Sequence, residues 1–300
     1  MRDEKERFKT LDLATRELSP FGELPTFSGT WVNVTHGRRV TTDQPETWVG
    51  RVLCLGGSTT FCGDVSDRDT WPSVLQRSLN DAGLRVQVEN LGRMGATAIN
   101  RLGLIQDQER LEGARVVVLL FGINDAGWVQ LRDLVDLPIL VRRMIASRLG
   151  LTQVVYRLAG RRIGRRCGIA AARKTISELE VAADLLSHHK TRFLVALQPH
   201  YWLNRERPNL IGPGSTSPFA VRPDFLSALD GAYEIYRNSL PKLNSIEYLN
   251  LESSLDKLGD SGYIDWAHNS TVGCQTIGQI IGLSVKRLLS NGDVQNSNSS

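Results

Sequence analysis

The sequence predicts an α/β protein in which a mostly parallel sheet is covered by helices on both faces. From residue 51 onward, short apolar runs alternate with segments whose apolar residues recur at helical spacing. Runs such as RVLCLGG (51–57) and ARVVVLLFG (114–122) are apolar almost throughout. Strands of this composition are typical of parallel sheets that are buried on both faces. A chain of 300 residues is long enough to form such a core.

Strands and helices are predicted in alternation along this part of the chain. The expected strands lie at 51–57, 84–92, 114–122, 192–199 and 246–252, and the expected helices at 70–82, 98–112, 176–189, 223–240 and 270–290. Asp69 or Thr70 is suited to cap the first of these helices, Pro72 lies in its first turn, and Gly83 ends it.

Three regions are expected along the chain. Residues 1–48 have little periodicity and are predicted to form an N-terminal extension with short elements. Residues 49–290 are predicted to form the main α/β domain, interrupted by a basic helical insertion at about 128–175. The small, polar tail at 291–300 is predicted to be disordered.

Charge, cysteine pattern and hydropathy argue against several classes of protein. A net charge of +4 is only mildly basic, and no nucleic-acid-binding motif accompanies it, so no nucleic-acid partner is expected. The four cysteines form no C-x-x-C pair, so a reduced chain without a metal site is the simplest interpretation. The charged N-terminus lacks the apolar core of a signal peptide, and a cytoplasmic protein is therefore expected.

The loops at the carboxyl ends of the strands are the expected place for a site, because ligands bind there in parallel sheets. The first strand ends in LGGST, where Ser58 follows two glycines at the start of a predicted helix. A serine there has an exposed hydroxyl, and a helix N-terminus favours developing negative charge. Taken alone, the same string is more typical of a Gly-Ser turn that caps a helix.

Two further strand-end loops carry groups that can stabilise an oxyanion. Gly95, in ENLGRMGAT, can offer an unhindered backbone N–H, and Asn124, in LFGIND, can donate from its side-chain amide. Their plain alternatives are a turn glycine and an Asx-turn, and the neighbouring Asp125 is interpreted as a turn residue.

Near the C-terminus, YIDWAHNS places Asp265 three residues before His268. A carboxylate on one imidazole nitrogen selects the tautomer and stabilises the imidazolium. The alternative is an exposed loop with a chance Asp-His pair.

In this order, the four blocks resemble those of the SGNH (GDSL-like) hydrolase family. That family carries Ser, Gly, Asn and His in four blocks, with an Asp three residues before the His. The corresponding segments here are GGST (Ser58), NLGRMG (Gly95), GIND (Asn124) and DWAH (Asp265 and His268). Counting from Asn90 favours Gly95 over Gly92. The first block has Gly-Gly-Ser-Thr in place of the Gly-Asp-Ser-Leu that names the family.

The resemblance implies a flavodoxin-like three-layer α/β/α sandwich and the hydrolysis of an acyl ester. Ser58 would be the nucleophile, His268 its base, and Asp265 the residue that orients His268. The N–H groups of Ser58 and Gly95 and the side chain of Asn124 would hold the oxyanion. No cofactor is required, and the expected substrate is an acylated carbohydrate or lipid.

Two other functions are compatible with the same residues and fold. An O-acyltransferase would use the same Ser-His-Asp set but would offer a sugar hydroxyl, instead of water, to the acyl-enzyme. A non-catalytic glycan-binding module would keep the fold alone, and the presence of all four blocks argues against it. A dinucleotide-binding enzyme is disfavoured because the G-x-G-x-x-G motif is missing.

A basic segment lies between the Asn124 block and the next helix. Residues 137–177 contain no Asp or Glu, and their basic residues are Arg142, Arg143, Arg148, Arg157, Arg161, Arg162, Arg165, Arg166, Arg173 and Lys174. A solvated helical excursion is favoured. A lid that attracts an anionic substrate is second, and contact with an anionic membrane surface is third.

Several aromatic side chains and one histidine lie next to the expected site loops and are candidates for substrate binding. They are Trp128, His200, Tyr201, Trp202 and Trp266. Aromatic rings in such a cleft can stack on sugars or line an acyl pocket, and they can equally be core residues.

Overall fold

The computed structural model of the chain describes residues 2–16, 23–127, 150–201 and 223–297. It confirms the predicted class, because helices cover both faces of a mostly parallel sheet of eight strands. The strands are β1 (Phe27–Ser28), β2 (Asn33–Thr35), β3 (Arg38–Arg39), β4 (Arg51–Gly56), β5 (Gln87–Asn90), β6 (Ala114–Phe121), β7 (Arg192–Leu197) and β8 (Glu247–Asn250). The helices of the described residues are α1 (Arg2–Arg16), α2 (Ser58–Phe61), α3 (Trp71–Asp81), α4 (Ala98–Leu102), α5 (Gln108–Leu111), α6 (Ile123–Gly127), α7 (Gly150–His188), α8 (Pro223–Ser239) and α9 (Thr271–Ser297).

Five parallel strands form the centre of the sheet, in the spatial order β5-β4-β6-β7-β8. Numbered among themselves along the chain, they follow the order 2-1-3-4-5, which is that of flavodoxin-like folds. The strand order reverses between β4 and β6, and ligands in such sheets bind outside the carboxyl ends of the strands at this point. The loops after β4 and β6 are therefore the best placed to form a site.

Alternate residues of the central strands enter the cores on opposite faces of the sheet. On β6, Val117, Leu119 and Phe121 pack in the core under α4, α7 and α8. The residues that alternate with them, Val116, Val118 and Leu120, pack in the core under α3 and α9. This burial on both faces explains why the strand is apolar at every position, and it produces the three-layer α/β/α arrangement.

The N-terminal segment is more structured than its weak periodicity predicts. Helix α1 packs against the molecule through Phe8, and β1, β2 and β3 extend the sheet as antiparallel strands beyond β5. Phe8, Val32 and Val34 form a third small core with Phe61 of helix α2 and with Met94. Strands of two or three residues are too short for an alternating pattern to be recognised, so only the tertiary contacts reveal them.

Two helical predictions differ from the structure in extent. The helix predicted at 98–112 is divided into α4, a 3₁₀ turn at Gly103–Gln106, and α5, which Asp107 caps through the N–H groups of Glu109 and Arg110. The helix predicted at 176–189 is the last part of α7, which begins at Gly150. The remainder of the basic insertion, residues 128–149, lies outside the described residues.

The final helix also departs from the prediction. Helix α9 continues to Ser297, into the tail for which the sequence predicts disorder. Propagating an existing helix costs far less than nucleating one, so a polar segment can continue it. None of the helices in the described ranges combines the length and apolar character needed to cross a bilayer.

Candidate active site

Three loops meet at the carboxyl ends of the central strands, where the topology favours a site. The loop after β4 leads directly into α2 and carries Ser58. The loop after β5 contains Gly95, and α6, which follows β6, carries Asn124. Gly57 cannot bear a side chain, because a Cβ there would lie 2.7 Å from Nδ2 of Asn124 and 2.9 Å from the carbonyl oxygen of Ala96. The loops therefore approach one another at backbone contact distance.

Ser58, His268 and Asp265 form a continuous chain of hydrogen-bonded side chains. Oγ of Ser58 lies 2.9 Å from Nε2 of His268, across 210 residues of sequence. Nδ1 of His268 lies 2.8 Å from Oδ2 of Asp265. The structure thus brings together the three side chains predicted to be catalytic, in the order nucleophile, base and orienting carboxylate that acyl transfer requires.

The loop between Asp265 and His268 is built around the carboxylate. Oδ1 of Asp265 accepts hydrogen bonds from the backbone N–H groups of Ala267 and His268, both at 2.8 Å. Burial opposes ionisation, but the hydrogen bond and charge of His268 and these two N–H groups outweigh it, and they lower the pKa of Asp265 to about 2. Asp265 is therefore an anion throughout the neutral range and can keep Nδ1 of His268 protonated.

Gly95 and Asn124 have the features expected of oxyanion donors. Gly95 has φ +69° in a turn closed by the hydrogen bond from Ala96 N–H to the carbonyl of Arg93, a conformation that favours glycine. Nδ2 of Asn124 donates one hydrogen to the carbonyl of Ala96 at 2.9 Å. An amide carries two such hydrogens, so the second can be donated to a ligand.

Gly92, the alternative to Gly95, is already engaged elsewhere. Its N–H donates to Oδ1 of Asn90 at 3.0 Å. A Cβ on Gly92 would lie 2.2 Å from the backbone nitrogen of Phe61, so this glycine serves the close packing of α2. The geometry favours Gly95 as the donor, in line with the count along the sequence.

Asp125 connects the two loops that carry Gly95 and Asn124. This buried carboxylate accepts the N–H of Ala98 at 2.7 Å and that of Gly122 at 3.2 Å, so it links the loop after β5 to the end of β6. Burial raises its pKa to about 6, against the opposing effect of these two backbone hydrogen bonds. The prediction of a turn residue is incomplete, because the carboxylate also bridges two loops that are distant in sequence.

The predicted substrate-contacting residues have different positions. His200 and Tyr201 are buried, the former at 4% exposure, and Tyr201 donates from its hydroxyl to Asp260. Burial lowers the pKa of His200 to about 3, with a further contribution from Arg237, so its ring is neutral. This burial argues against direct substrate contact by either side chain.

Trp266 lies between Asp265 and His268 in the sequence and is half-buried. Its ring meets that of Phe225 edge-on, with the centroids 5.5 Å apart. It remains the best-placed aromatic candidate among the described residues. Trp128 and Trp202 lie outside the described residues.

Three side chains that hold the nucleophile helix are absent from the sequence prediction. Asn90 and Trp71 donate to carbonyl groups of Thr60 and Thr59, and Arg39 donates to that of Phe61. Asn90 stands at a predicted strand end, which is a usable signal. Arg39 lies in a two-residue strand of the N-terminal segment, and no pattern in the sequence marks it.

Comparison with known proteins finds one family model that resembles part of the chain. Residues 54–192 match the family model described as "GDSL-like Lipase/Acylhydrolase family". No curated protein matches the chain significantly.

Similar solved structures include a lipase/acylhydrolase from Enterococcus faecalis (17% identity, 79% of this chain and 95% of that chain, TM-score 0.46) and the psychrotrophic esterase EstA from Pseudoalteromonas sp. (14%, 80% and 99%, 0.44). The acetyl xylan esterase AlAXEase is a third (14%, 78% and 99%, 0.48). The matched segment, just under half of the chain, runs from β4 through the loops of Ser58, Gly95 and Asn124 to the start of β7, and this part of the chain resembles the GDSL-like lipase/acylhydrolase family.

Proposed function

We propose that this protein is a carboxylic ester hydrolase that acts through an acyl-enzyme on Ser58. The observation that carries the proposal is the chain of contacts from Ser58 Oγ to His268 Nε2 and from His268 Nδ1 to Asp265, at 2.9 and 2.8 Å. The match of residues 54–192 to an acylhydrolase family model supports ester hydrolysis in general. The assignment of roles to individual side chains rests on the geometry.

In the first half of the reaction, His268 Nε2 accepts the proton of Ser58 as Oγ attacks the ester carbonyl carbon. The tetrahedral oxyanion is held by the N–H groups of Ser58 and Gly95 and by the free amide hydrogen of Asn124. Collapse of this intermediate breaks the bond to the leaving alcohol, which takes the proton from His268. The acyl group remains on Ser58.

In the second half, His268 removes a proton from water, which attacks the acyl carbonyl and releases the acid. The side chains of Asp265 and His268 are 25% and 24% exposed, so the base is in reach of solvent. Asp265 stabilises the imidazolium that forms in both halves, because its low pKa keeps it ionised.

The proposed substrates are acylated carbohydrates or lipids. The half-buried rings of Trp266, two residues before His268 in sequence, and of Phe225, which meets it edge-on, support this class, because aromatic surfaces can stack on sugar rings or line an acyl chain. Measuring kcat/KM for p-nitrophenyl esters of increasing chain length and for acetylated sugars distinguishes a lipid substrate from a carbohydrate substrate. Adding a sugar acceptor distinguishes hydrolysis from O-acyl transfer, since a transferase forms an acylated sugar at the expense of free acid.

Labelling by a fluorophosphonate probe tests the nucleophile directly. We expect wild-type protein to be labelled on Ser58 and the Ser58→Ala variant to be neither labelled nor active. Ser66→Ala is the matched control, because Ser66 lies nearby in sequence and bonds Asp69 instead of His268. Equal labelling of wild type and Ser58→Ala would exclude the proposed mechanism.

A further inference from the structure

Helix α2, which begins at Ser58, is a single turn of four residues and cannot stabilise itself. Two bonds of the α type define it, from Phe61 N–H to the carbonyl of Gly57 at 3.0 Å and from Cys62 N–H to that of Ser58 at 2.7 Å. The carbonyls that follow must find partners elsewhere, because a helix leaves its last carbonyls unpaired. The position of Ser58 therefore depends on whatever holds these groups.

Buried side chains from other elements donate hydrogen bonds to each of the next four carbonyls, those of residues 59–62. Trp71 Nε1 donates to Thr59 O at 3.1 Å, and Asn90 Nδ2 donates to Thr60 O at 2.9 Å. Arg39 Nη1 donates to the last two, Phe61 O at 2.9 Å and Cys62 O at 2.7 Å. Arg39 thus holds the end of the turn, where Cys62 has φ +54° and the chain leaves the helix.

The guanidinium of Arg39 is buried, with its side chain 0% exposed, and every N–H that it carries has an acceptor. Besides the bonds of Nη1 to the carbonyls of Phe61 and Cys62, Nε donates to Asp67 at 2.9 Å, and Nη2 donates to the carbonyls of Trp31 and Val65 at 3.1 and 2.8 Å. A planar group with five donors in fixed directions can meet five acceptors only if all of them are correctly placed. This arrangement ties α2 rigidly to the N-terminal strands.

Two more contacts fix the same helix from the N-terminal side. The ring of Phe61 stacks on that of Phe8 in α1, with centroids 4.7 Å apart, and the guanidinium of Arg39 lies 5.0 Å from the Phe61 centroid. Arg39 and Asn90 are also register partners across β3 and β5, so consecutive carbonyls of α2 are held by neighbouring strands. The N-terminal segment precedes the residues that match the family model.

We infer that Arg39 is a positioning residue for the nucleophile, by which the N-terminal segment becomes part of the catalytic apparatus. The inference rests on the proposed role of Ser58. Losing the guanidinium frees the carbonyl of Phe61, leaves that of Cys62 with the N–H of Val65 alone, and allows the turn to shift. The distance from Ser58 Oγ to His268 Nε2 and the direction of the Ser58 N–H then change, while the substrate-binding surface does not. The expected result is a lower kcat with an almost unchanged KM.

The test compares Arg39→Ala and Arg39→Lys with Arg38→Gln in the full-length chain. Arg38 is the neighbour of Arg39 on β3, but its side chain is 34% exposed and it pairs with Glu89 away from α2. We expect Arg39→Ala to lose about 10²-fold in kcat, as misplacement of reacting groups by about 1 Å does. Arg39→Lys should recover only part of this loss, because an ammonium cannot reach the same acceptors. Arg38→Gln should retain wild-type kcat.

Two further measurements separate positioning from general destabilisation. Added guanidinium chloride, at concentrations far below those that denature the protein, should raise the kcat of Arg39→Ala and leave that of Arg38→Gln unchanged. Leu79→Ala, a core change in α3, provides a variant of reduced melting temperature. Assayed below its melting transition, it should keep its kcat. A folded Arg39→Ala protein with wild-type kcat, or a loss equal to that of Leu79→Ala, would overturn the inference.

Hydrogen exchange makes this result independent of the proposed chemistry. The backbone amides of Thr60–Cys62 should exchange faster in Arg39→Ala than in Arg38→Gln, and unchanged protection overturns the positioning role. If wild-type Ser58 fails to react with a fluorophosphonate while the exchange difference is present, the proposed function is wrong and the structural coupling stands.

Discussion

The two sides of the candidate site are built on different principles. On the nucleophile side, Ser58 begins a turn whose carbonyls are held by buried donors from α3, β5 and β3. On the histidine side, a four-residue loop holds itself, because Asp265 bonds the backbone and the ring of His268 within the same segment. The first side depends on distant parts of the chain, and the second is nearly self-sufficient.

The two carboxylates of the site show the same contrast. Asp125 is buried beneath the oxyanion loops and its pKa is raised to about 6 by burial. Asp265 is a quarter exposed, and its pKa is lowered to about 2, because the bonds and charge of His268 outweigh the burial. One carboxylate serves to connect loops at an electrostatic cost, whereas the other serves as a permanent anion.

The contrast follows from what each side must do in the proposed mechanism. The oxyanion donors have to be placed correctly before charge develops, so rigid burial is an advantage. The histidine has to gain and lose a proton twice in each turnover, so its partner must stay ionised and water must reach it. Substitutions on the two sides should therefore fail in different ways.

The largest expected effect is that of His268→Ala. Removing the proposed base should lower kcat by about 10⁶-fold, as loss of the histidine base does in other serine hydrolases. Steady-state kinetics on a p-nitrophenyl ester measure the loss, and His188→Ala, at the distant end of α7, is the control. A loss of less than about tenfold would show that another base serves Ser58.

Asp265→Asn should have the next largest effect, about 10⁴-fold in kcat. An asparagine amide offers a donor to Nδ1, which selects the tautomer with the proton on Nε2, so the ring no longer accepts from Ser58. The melting temperature should change little at neutral pH, since the loop can keep its bonds to the carbonyl oxygen. Asp256→Asn, on an exposed turn, is the control. Activity close to wild type would reassign Asp265 to a structural role.

Asn124→Ala tests the nucleophile side and should lower kcat by about 10²–10³-fold with little change in KM. The amide then no longer donates to the oxyanion, while the ground-state complex is nearly unaffected. Asn80→Ala, an exposed asparagine on α3, is the matched control. A change confined to KM would indicate that Asn124 binds substrate and does not stabilise the transition state.

The two carboxylates should give pH dependences of stability with opposite signs. Because its folded pKa is raised, Asp125 should make the free energy of unfolding fall as pH rises from about 4 to about 6, by on the order of 3 kcal/mol. Because its folded pKa is depressed, Asp265 should contribute stability above about pH 4 that is lost as pH falls toward 2. Urea unfolding of wild type, Asp125→Asn and Asp265→Asn at several pH values isolates the two slopes. Identical slopes in all three proteins would contradict both assignments.

The smallest expected effect is that of Trp266→Ala on substrate preference. If the ring contacts the acyl chain or a sugar, KM should rise several-fold for a substrate that reaches it and stay constant for an acetyl ester. Trp48→Ala, an exposed tryptophan in the loop before β4, is the control. Equal KM changes for short and long substrates would show that Trp266 does not contact the acyl chain or the sugar.

Much of this protein is determined by local sequence. The apolar runs of β4, β6 and β7 predict buried parallel strands, Thr70 caps α3 as expected, and the Asp-x-x-His spacing predicts a loop that closes on its own carboxylate. These features are recognisable because the groups that interact lie within a few residues of one another or repeat with the period of the element.

The tertiary structure decided what depends on contacts between distant residues. Only the fold brings Ser58 within 2.9 Å of His268, occupies the N–H of Gly92 while Gly95 forms a turn, and makes Asp125 a bridge between loops. The same holds for Arg39, because a two-residue strand is too short to show a periodic pattern in the sequence. A buried guanidinium finds its acceptors through the packing of the whole N-terminal segment on α2, and no pattern of neighbouring residues encodes that contact.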